Sequence, residues 1–237
     1  MPLPPPRAEL ASRPAQAAIL LDIDGTLAPI VLDPADSRVP DETREELRRL
    51  AARYALVGCL TGRATEDARR IVGVAELEYI GEHGLELAPE AQLWLAALER
   101  VADRTTWPAE RKRLTFSFHY RTAPDEAAAL EALERVAEDA RAEGLVARWG
   151  RKVLEVRPPV DAHKGTAVVH LLERRGIRRG LFAGDDATDM DGFRAMDDLD
   201  LGVKIAVASP EGPRELARAA DVVVDGPPEL LELLRLL

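Results

Sequence analysis

The stretch ILLDIDGTLAP, residues 19–29, decides how the rest of the chain is read. Its apolar opening reads as a buried strand, yet it runs directly into Asp22 and Asp24, two carboxylates separated only by Ile23. Helix capping needs one acid, not two. Gly25 permits a sharp turn, which holds both carboxylates close together on a short loop beyond a rigid strand. Like charges this near repel, and a divalent cation resolves the conflict. Oxygen ligands with no Cys or His beside them favour Mg2+ over Zn2+. At average residue frequencies Asp-x-Asp-Gly-Thr matches a given position with a chance on the order of 10⁻⁵, so an accidental match in this chain is improbable.

Outward from this stretch, short apolar runs recur: AAILLDID (17–24), ALVGCLTG (55–62), GLFAGDD (180–186), KIAVAS (204–209) and DVVVDG (221–226). Each ends on Gly, Asp or Ser, as expected of strands in a parallel sheet covered on both faces. Between the first two lies PDETREELRRLAARY (40–54), where Leu47, Leu50, Ala51 and Tyr54 mark one helical face and Pro40 and Asp41 suit the start. Strand, helix, strand is the repeating unit of an α/β fold, here a doubly wound, Rossmann-like parallel sheet core. Ligands in such folds bind beyond the carboxyl ends of the strands, where the acids lie.

The middle of the chain has a different period. From about Pro89 to Pro158 the pattern predicts a helix (90–102), a strand (113–121), a long helix (125–142) and a hairpin (145–157). In LTFSFHYR, Phe116, Phe118 and Tyr120 point one way and Thr115, Ser117, His119 and Arg121 the other; in RKVLEVR, Arg151, Val153, Glu155 and Arg157 share a face opposite Lys152, Leu154 and Val156. This block reads as an inserted smaller α+β cap domain over 89–158, with the core formed by 15–88 and 159–237. Its polar sheet face is either solvated or the inner face of a lid.

With 46% hydrophobic and 31% charged residues in 237, the chain can bury a sizeable core. A formal net charge of −10 argues against nucleic acid and anionic membranes as partners. Cys59 is the single cysteine, so no intrachain disulfide forms; its apolar setting implies a packing role, and a reducing cytoplasm is the expected home. Prolines interrupt the opening MPLPPPRAELASRP where a secretory signal needs a continuous apolar segment, so 1–14 is expected to be a disordered arm. No apolar run approaches the roughly 20 residues of a membrane span.

Three further segments fit an anion held by a cation. CLTGR ends a strand with the Thr61 hydroxyl at its mouth. HKGTAVVHLLERR places Lys164 and Gly165 at the start of a helix, where dipole and ammonium both favour an anion. FAGDDATDMDGF carries Asp185, Asp186, Asp189 and Asp191 within seven residues; some can cap the following helix, and at least one further metal ligand is expected here.

In this order, Asp-x-Asp-Gly-Thr, a later Thr at a strand end, a Lys opening a helix and an acidic Gly-Asp-Asp loop resemble the four motifs of the haloacid dehalogenase superfamily of phosphatases. The segments DIDGTLAPIVLDPADSRVP, LTGR, GEHGLEL, FHYR, GRKVLEVRP, HKG and GDDATDMD further resemble the trehalose-6-phosphate phosphatase family, over nearly the whole chain after the proline-rich opening. The resemblance implies hydrolysis of trehalose 6-phosphate to trehalose and phosphate, with Asp22 as nucleophile and Asp24 as general acid and base. It implies Mg2+ on the Asp22 carboxylate, the Asp24 backbone carbonyl and Asp185, with Asp189 positioning the loop or a metal-bound water. Thr61, Gly62 and Lys164 would bind phosphate, and Arg63, Glu82, His83, Arg121, Arg151 and Glu155 the sugar. His119 reads as either a ligand contact or a satisfied surface histidine, and His163 and His170 as structural. A sugar-phosphate synthase is the partner implied.

The same core chemistry would serve another lidded sugar phosphatase, acting on sucrose phosphate or a glycosyl-phosphoglycerate. A phosphate-accepting regulatory module is a further alternative, and Asp24 argues against it by promoting hydrolysis of the phosphorylated state. A catalytically silent partner of a synthase would have no physical reason to keep every acid and the Lys.

Overall fold

The apolar run at 18–21 lies inside a six-stranded parallel sheet in the computed structural model, which describes residues 5–150, 152–209 and 212–237. In chain order the elements are α1 (Pro5–Ser12), β1 (Ala18–Leu21), α2 (Asp41–Ala51), β2 (Leu56–Leu60), α3 (Thr65–Val72) and β3 (Glu78–Ile80). There follow α4 (Leu95–Arg104), β4 (Glu110–Arg111), β5 (Phe116–His119), α5 (Glu126–Ala142), β6 (Val146–Gly150) and β7 (Val153–Arg157). The chain closes with α6 (Lys164–Glu173), β8 (Arg179–Gly184), α7 (Asp189–Asp197), β9 (Leu201–Ala208), α8 (Arg214–Ala219), β10 (Val222–Asp225) and α9 (Gly226–Arg235). The chain divides into two compact units, one running to Gly84 and resuming over Ala162–Leu237, the other spanning Leu85–Asp161.

In the first unit the strand order is β10-β9-β8-β1-β2-β3, with every neighbouring pair parallel. Alternate residues feed opposite layers. Ile19, Leu21, Val57, Cys59, Leu181 and Ile205 pack with Leu47 and Leu50 of α2, Ile71 of α3 and Leu230 and Leu234 of α9. Ala18, Leu20, Leu60, Phe182 and Ala206 pack with Val168 and Leu171 of α6, Phe193 and Met196 of α7 and Leu216 of α8. Helices therefore cover both faces, the doubly wound arrangement, and each fully buried Leu or Phe contributes about 2 kcal/mol.

Register sets the level of the chemistry. Leu21 of β1 lies opposite Cys59 of β2 on one side and Ala183 of β8 on the other, so Asp22, Thr61 and Asp185 leave three adjacent strands at nearly the same height. The connections run outward from β1 in one direction and from β8 in the other, so β1 and β8 flank the switch point where open parallel sheets bind ligands.

Two local expectations change. Within the opening expected as a disordered arm, α1 forms because Leu10 is fully buried in the cluster that holds Ile19 and Val203; residues 1–4 lie outside the described residues. The sheet also has a sixth strand, β3, whose three residues are too short to stand out as an apolar run.

In the second unit an antiparallel sheet, order β4-β5-β7-β6, packs α4 and α5 on one face. Phe116, Phe118, Leu154 and Val156 meet Leu98 and Val101 of α4 and Leu133 and Val136 of α5. Glu110, Ser117, Glu155 and Arg148 form one cross-strand rung on the opposite face. Thr115, Ser117, Glu155 and Arg157 on that face are buried.

Candidate active site

At the end of β1, Asp22 is 5% exposed, and it meets two further buried acids from the segment after β8, Asp185 and Asp189. One carboxylate oxygen from each lies within 4.8 Å of the others. The Asp22 backbone N–H donates to the Ala183 carbonyl at 2.9 Å, which continues the β1–β8 ladder into the site. Gly25 has a φ of +87°, and a Cβ there would lie 2.1 Å from Asp185 Oδ2, so the loop closes on Asp185 only because position 25 has no side chain.

Lys164, buried at the first residue of α6, donates to Asp22 Oδ1 and to Asp189 Oδ1, each at 2.6 Å. Three carboxylates against one ammonium leave excess negative charge in a desolvated place. Burial pushes the Asp22 carboxyl well above the usual carboxylate range; Lys164 opposes this, while the charges of Asp189 and Asp185 add to it. Burial alone would depress the Lys164 ammonium, but Asp189 and Asp22 outweigh it and raise its pKa. The donor set is all oxygen, and its three oxygens lie within 4.8 Å of one another, near enough to share one ion that binds oxygen at about 2.1 Å. The cluster fits a divalent cation on both grounds.

Asp189 divides its two oxygens. Oδ1 takes Lys164, while Oδ2 accepts the backbone N–H groups of Asp185 and Asp186, each at 2.9 Å, so it shapes the acidic loop. Asp186 accepts from the Ala187 N–H, and Asp191 accepts from Arg194 at 2.7 Å, which leaves both outside the three-acid cluster.

The carboxylate of Asp24 also lies apart from that cluster. It accepts Arg63 Nε at 2.5 Å and Arg63 Nη2 at 2.8 Å, and the Ser37 hydroxyl at 3.0 Å. Arg63, expected to bind sugar, is held by Asp24 and by Asp67 of α3, the latter at 2.7 Å. These partners outweigh burial and raise the pKa of its guanidinium; burial opposes, but Arg63 and Arg70 together hold the Asp67 carboxyl below the usual range.

Thr61 is buried at the end of β2, where its Oγ accepts the Arg63 N–H at 3.2 Å and its carbonyl accepts the His83 N–H at 2.9 Å. The Glu82 N–H donates to the Arg63 carbonyl at 2.8 Å. Glu82 and His83 both hold positive φ, 47° and 55°. A Cβ on Gly62 would lie 2.5 Å from His83 Nε2, so ring and glycine backbone are in close approach. Segment 81–84 is thereby stitched to the loop after β2.

Arg121 and Glu155 belong to the second unit, half-buried and buried respectively, and Arg151 lies outside the described residues. His119 is exposed and pairs with Glu110 at 2.7 Å, as a structural histidine does. His163 does more than the sequence suggested: its Nδ1 accepts from the Gly165 and Thr166 N–H groups, capping the helix that carries Lys164. Histidine is not among the preferred capping residues, so only the following Lys-Gly could have hinted at it.

No helix among the described residues is long and apolar enough to cross a membrane. The sequence profile of trehalose-phosphatases matches residues 20–107 and 98–226. Trehalose-phosphate phosphatase B of Arabidopsis thaliana is 30% identical over 230 residues, covering 84% of this chain and 61% of the plant protein. The chain thus spans about three fifths of that relative's length. A crystal structure of a trehalose-6-phosphate phosphatase related protein matches with a TM-score of 0.76 at 26% identity, over 92% of this chain and 95% of that one. The C-terminal domain of trehalose-6-phosphate phosphatase from C. albicans shares the fold, with a TM-score of 0.77 at 22% identity over 99% and 97% of the two chains. Because the profile takes in most of the sequence, at a site of three buried acids and a lysine, the chain belongs to the trehalose-phosphatase family.

Proposed function

We propose that this protein is a Mg2+-dependent phosphoric monoester hydrolase that converts trehalose 6-phosphate to trehalose and phosphate. The observation that carries the reading is the buried group of Asp22, Asp185 and Asp189 with Lys164 at 2.6 Å from two of them, within a chain of this family. Asp22, Asp185 and the Asp24 backbone carbonyl would hold the ion, with Asp189 setting the loop. When bound, Mg2+ supplies positive charge that lets an anionic nucleophile meet an anionic ester.

Asp22 attacks phosphorus, and the bond from phosphorus to the sugar oxygen breaks. That oxygen keeps the electron pair and takes a proton from the Asp24 carboxyl. Water then attacks the aspartyl phosphate and passes a proton to the Asp24 carboxylate. The bond from phosphorus to Asp22 breaks, which restores both acids and releases phosphate. Thr61, Gly62 and Lys164 hold phosphoryl oxygens and oppose the charge that builds in transfer. Glu82, His83, Arg121, Arg151 and Glu155 are the proposed sugar contacts, since a disaccharide offers many hydroxyls and little apolar area. The lone buried Cys59 suits a reducing cytoplasm, where a synthase making phosphorylated disaccharide would supply the substrate.

The test is phosphate release from trehalose 6-phosphate, sucrose 6-phosphate and a glucosyl-phosphoglycerate, each with Mg2+ and with chelator. Release from trehalose 6-phosphate at the highest kcat/KM, lost with chelator, is the expected result. A preference for either other ester overturns the sugar assignment, and release that survives chelation overturns the metal.

A further inference from the structure

Arg63 donates three of its five N–H groups to carboxylates, two to Asp24 and one to Asp67. Its side chain is only 11% exposed, and its backbone is tied on both sides, N–H to Thr61 Oγ and carbonyl to the Glu82 N–H. Ser37 is fully buried and aims its hydroxyl at the oxygen of Asp24 that also takes Arg63 Nη2. Asp24 thus lies in a fork of donors from two separate loops, which fixes both the plane and the direction of its carboxyl group. A planar guanidinium fixes a carboxylate in a way a point charge does not.

We infer that Arg63 and Ser37 are positioning residues for proton transfer to the leaving group, acting through Asp24 rather than through contact with the sugar. The inference rests on the phosphatase reading above. As the bond from phosphorus to the ester oxygen breaks, that oxygen must gain a proton from Asp24 if it would otherwise depart as a basic anion. A leaving group that is already a weak base departs without one. A carboxyl free to rotate delivers the proton less often, so loss of the fork penalises esters in proportion to the basicity of what departs.

The experiment compares kcat/KM for phenyl phosphate and 4-nitrophenyl phosphate, two aryl esters whose leaving groups differ in basicity, in the Mg2+-loaded protein. This parameter covers steps only through formation of the aspartyl phosphate, so it isolates the departure of the leaving group. Arg63→Ala is expected to lose about 10- to 100-fold more on phenyl than on 4-nitrophenyl phosphate, Arg63→Lys less, and Ser37→Ala about 3- to 10-fold more. Equal losses on both esters in all three variants overturn the inference, because damage to the fold or the metal site lowers both alike. Should Arg63→Ala not fold, Arg63→Lys and Ser37→Ala decide by the same ratio. Wild-type protein that releases phosphate from neither ester overturns the phosphatase reading itself, a result distinct from equal losses in the variants.

Discussion

The two units place polar groups in opposite ways. In the first, three carboxylates and one ammonium are driven together at the ends of parallel strands, nearly sealed from solvent. In the second, charged and hydroxyl side chains are spread along the rungs of an antiparallel sheet, one from each strand in the set Glu110, Ser117, Glu155 and Arg148. Parallel strands covered on both faces leave only their ends for chemistry, so charge concentrates there. An antiparallel sheet with helices on one face leaves a whole face for spaced contacts. Under the proposed function the difference teaches that bond making and ligand reading would place different demands on a fold: the one needs a few groups at high field, the other many at fixed intervals.

The comparison breaks most readily at Asp22. Asp22→Asn is expected to keep the circular dichroism spectrum of the native protein and to lose phosphate release by about 10³-fold or more; residual turnover near wild type removes it as nucleophile. Lys164→Met leaves buried carboxylates without their cation and should cost about 3 kcal/mol in urea unfolding, part of which added Mg2+ recovers. No recovery with Mg2+ would mean that the cluster does not bind the ion. Glu155→Ala, in the other unit, should lower kcat/KM for the sugar phosphate about 10- to 100-fold while sparing 4-nitrophenyl phosphate; equal losses count against a sugar contact.

The smallest expected effect is at Cys59, beneath the site on β2. Burial, with the charge of Asp22 adding to it, raises this thiol above its ordinary value of 9.0. Iodoacetamide at pH 8 should leave it unlabelled in the native protein and label it in urea. A folded pKa above the unfolded one means that the associated stability is complete below about pH 9 and is lost as pH rises further. Prompt native labelling would show the core opening easily.

Much of the first unit is legible in the sequence because three of its strands end where an apolar run meets a predicted site residue: Leu21 before Asp22, Leu60 before Thr61, Gly184 before Asp185. Periodicity likewise separates Phe116 and Phe118 from Ser117. What could not be read depends on distance along the chain. Arg63 and Asp24 lie 39 positions apart, and no local pattern distinguishes an arginine bound to its own protein from one awaiting a ligand. Helix α1 hides because five prolines in the first 14 residues surround Leu10, which is fully buried. His163 hides because the sequence shows a ring but not which nitrogen accepts. Asp189 is expected at the loop or at a metal-bound water; one of its oxygens takes the loop N–H groups and the other takes Lys164, a pairing no local pattern announces.

The neighbouring, co-directional course of β1 and β8 has a consequence for how this chain can change length. A residue inserted between 18 and 22, or between 179 and 185, would advance one acid by about 3.3 Å relative to its counterpart and turn it toward the opposite layer. The reaction geometry is thus a ruler marked in peptide units, and mutation can rewrite the graduations around it far more freely than it can add one.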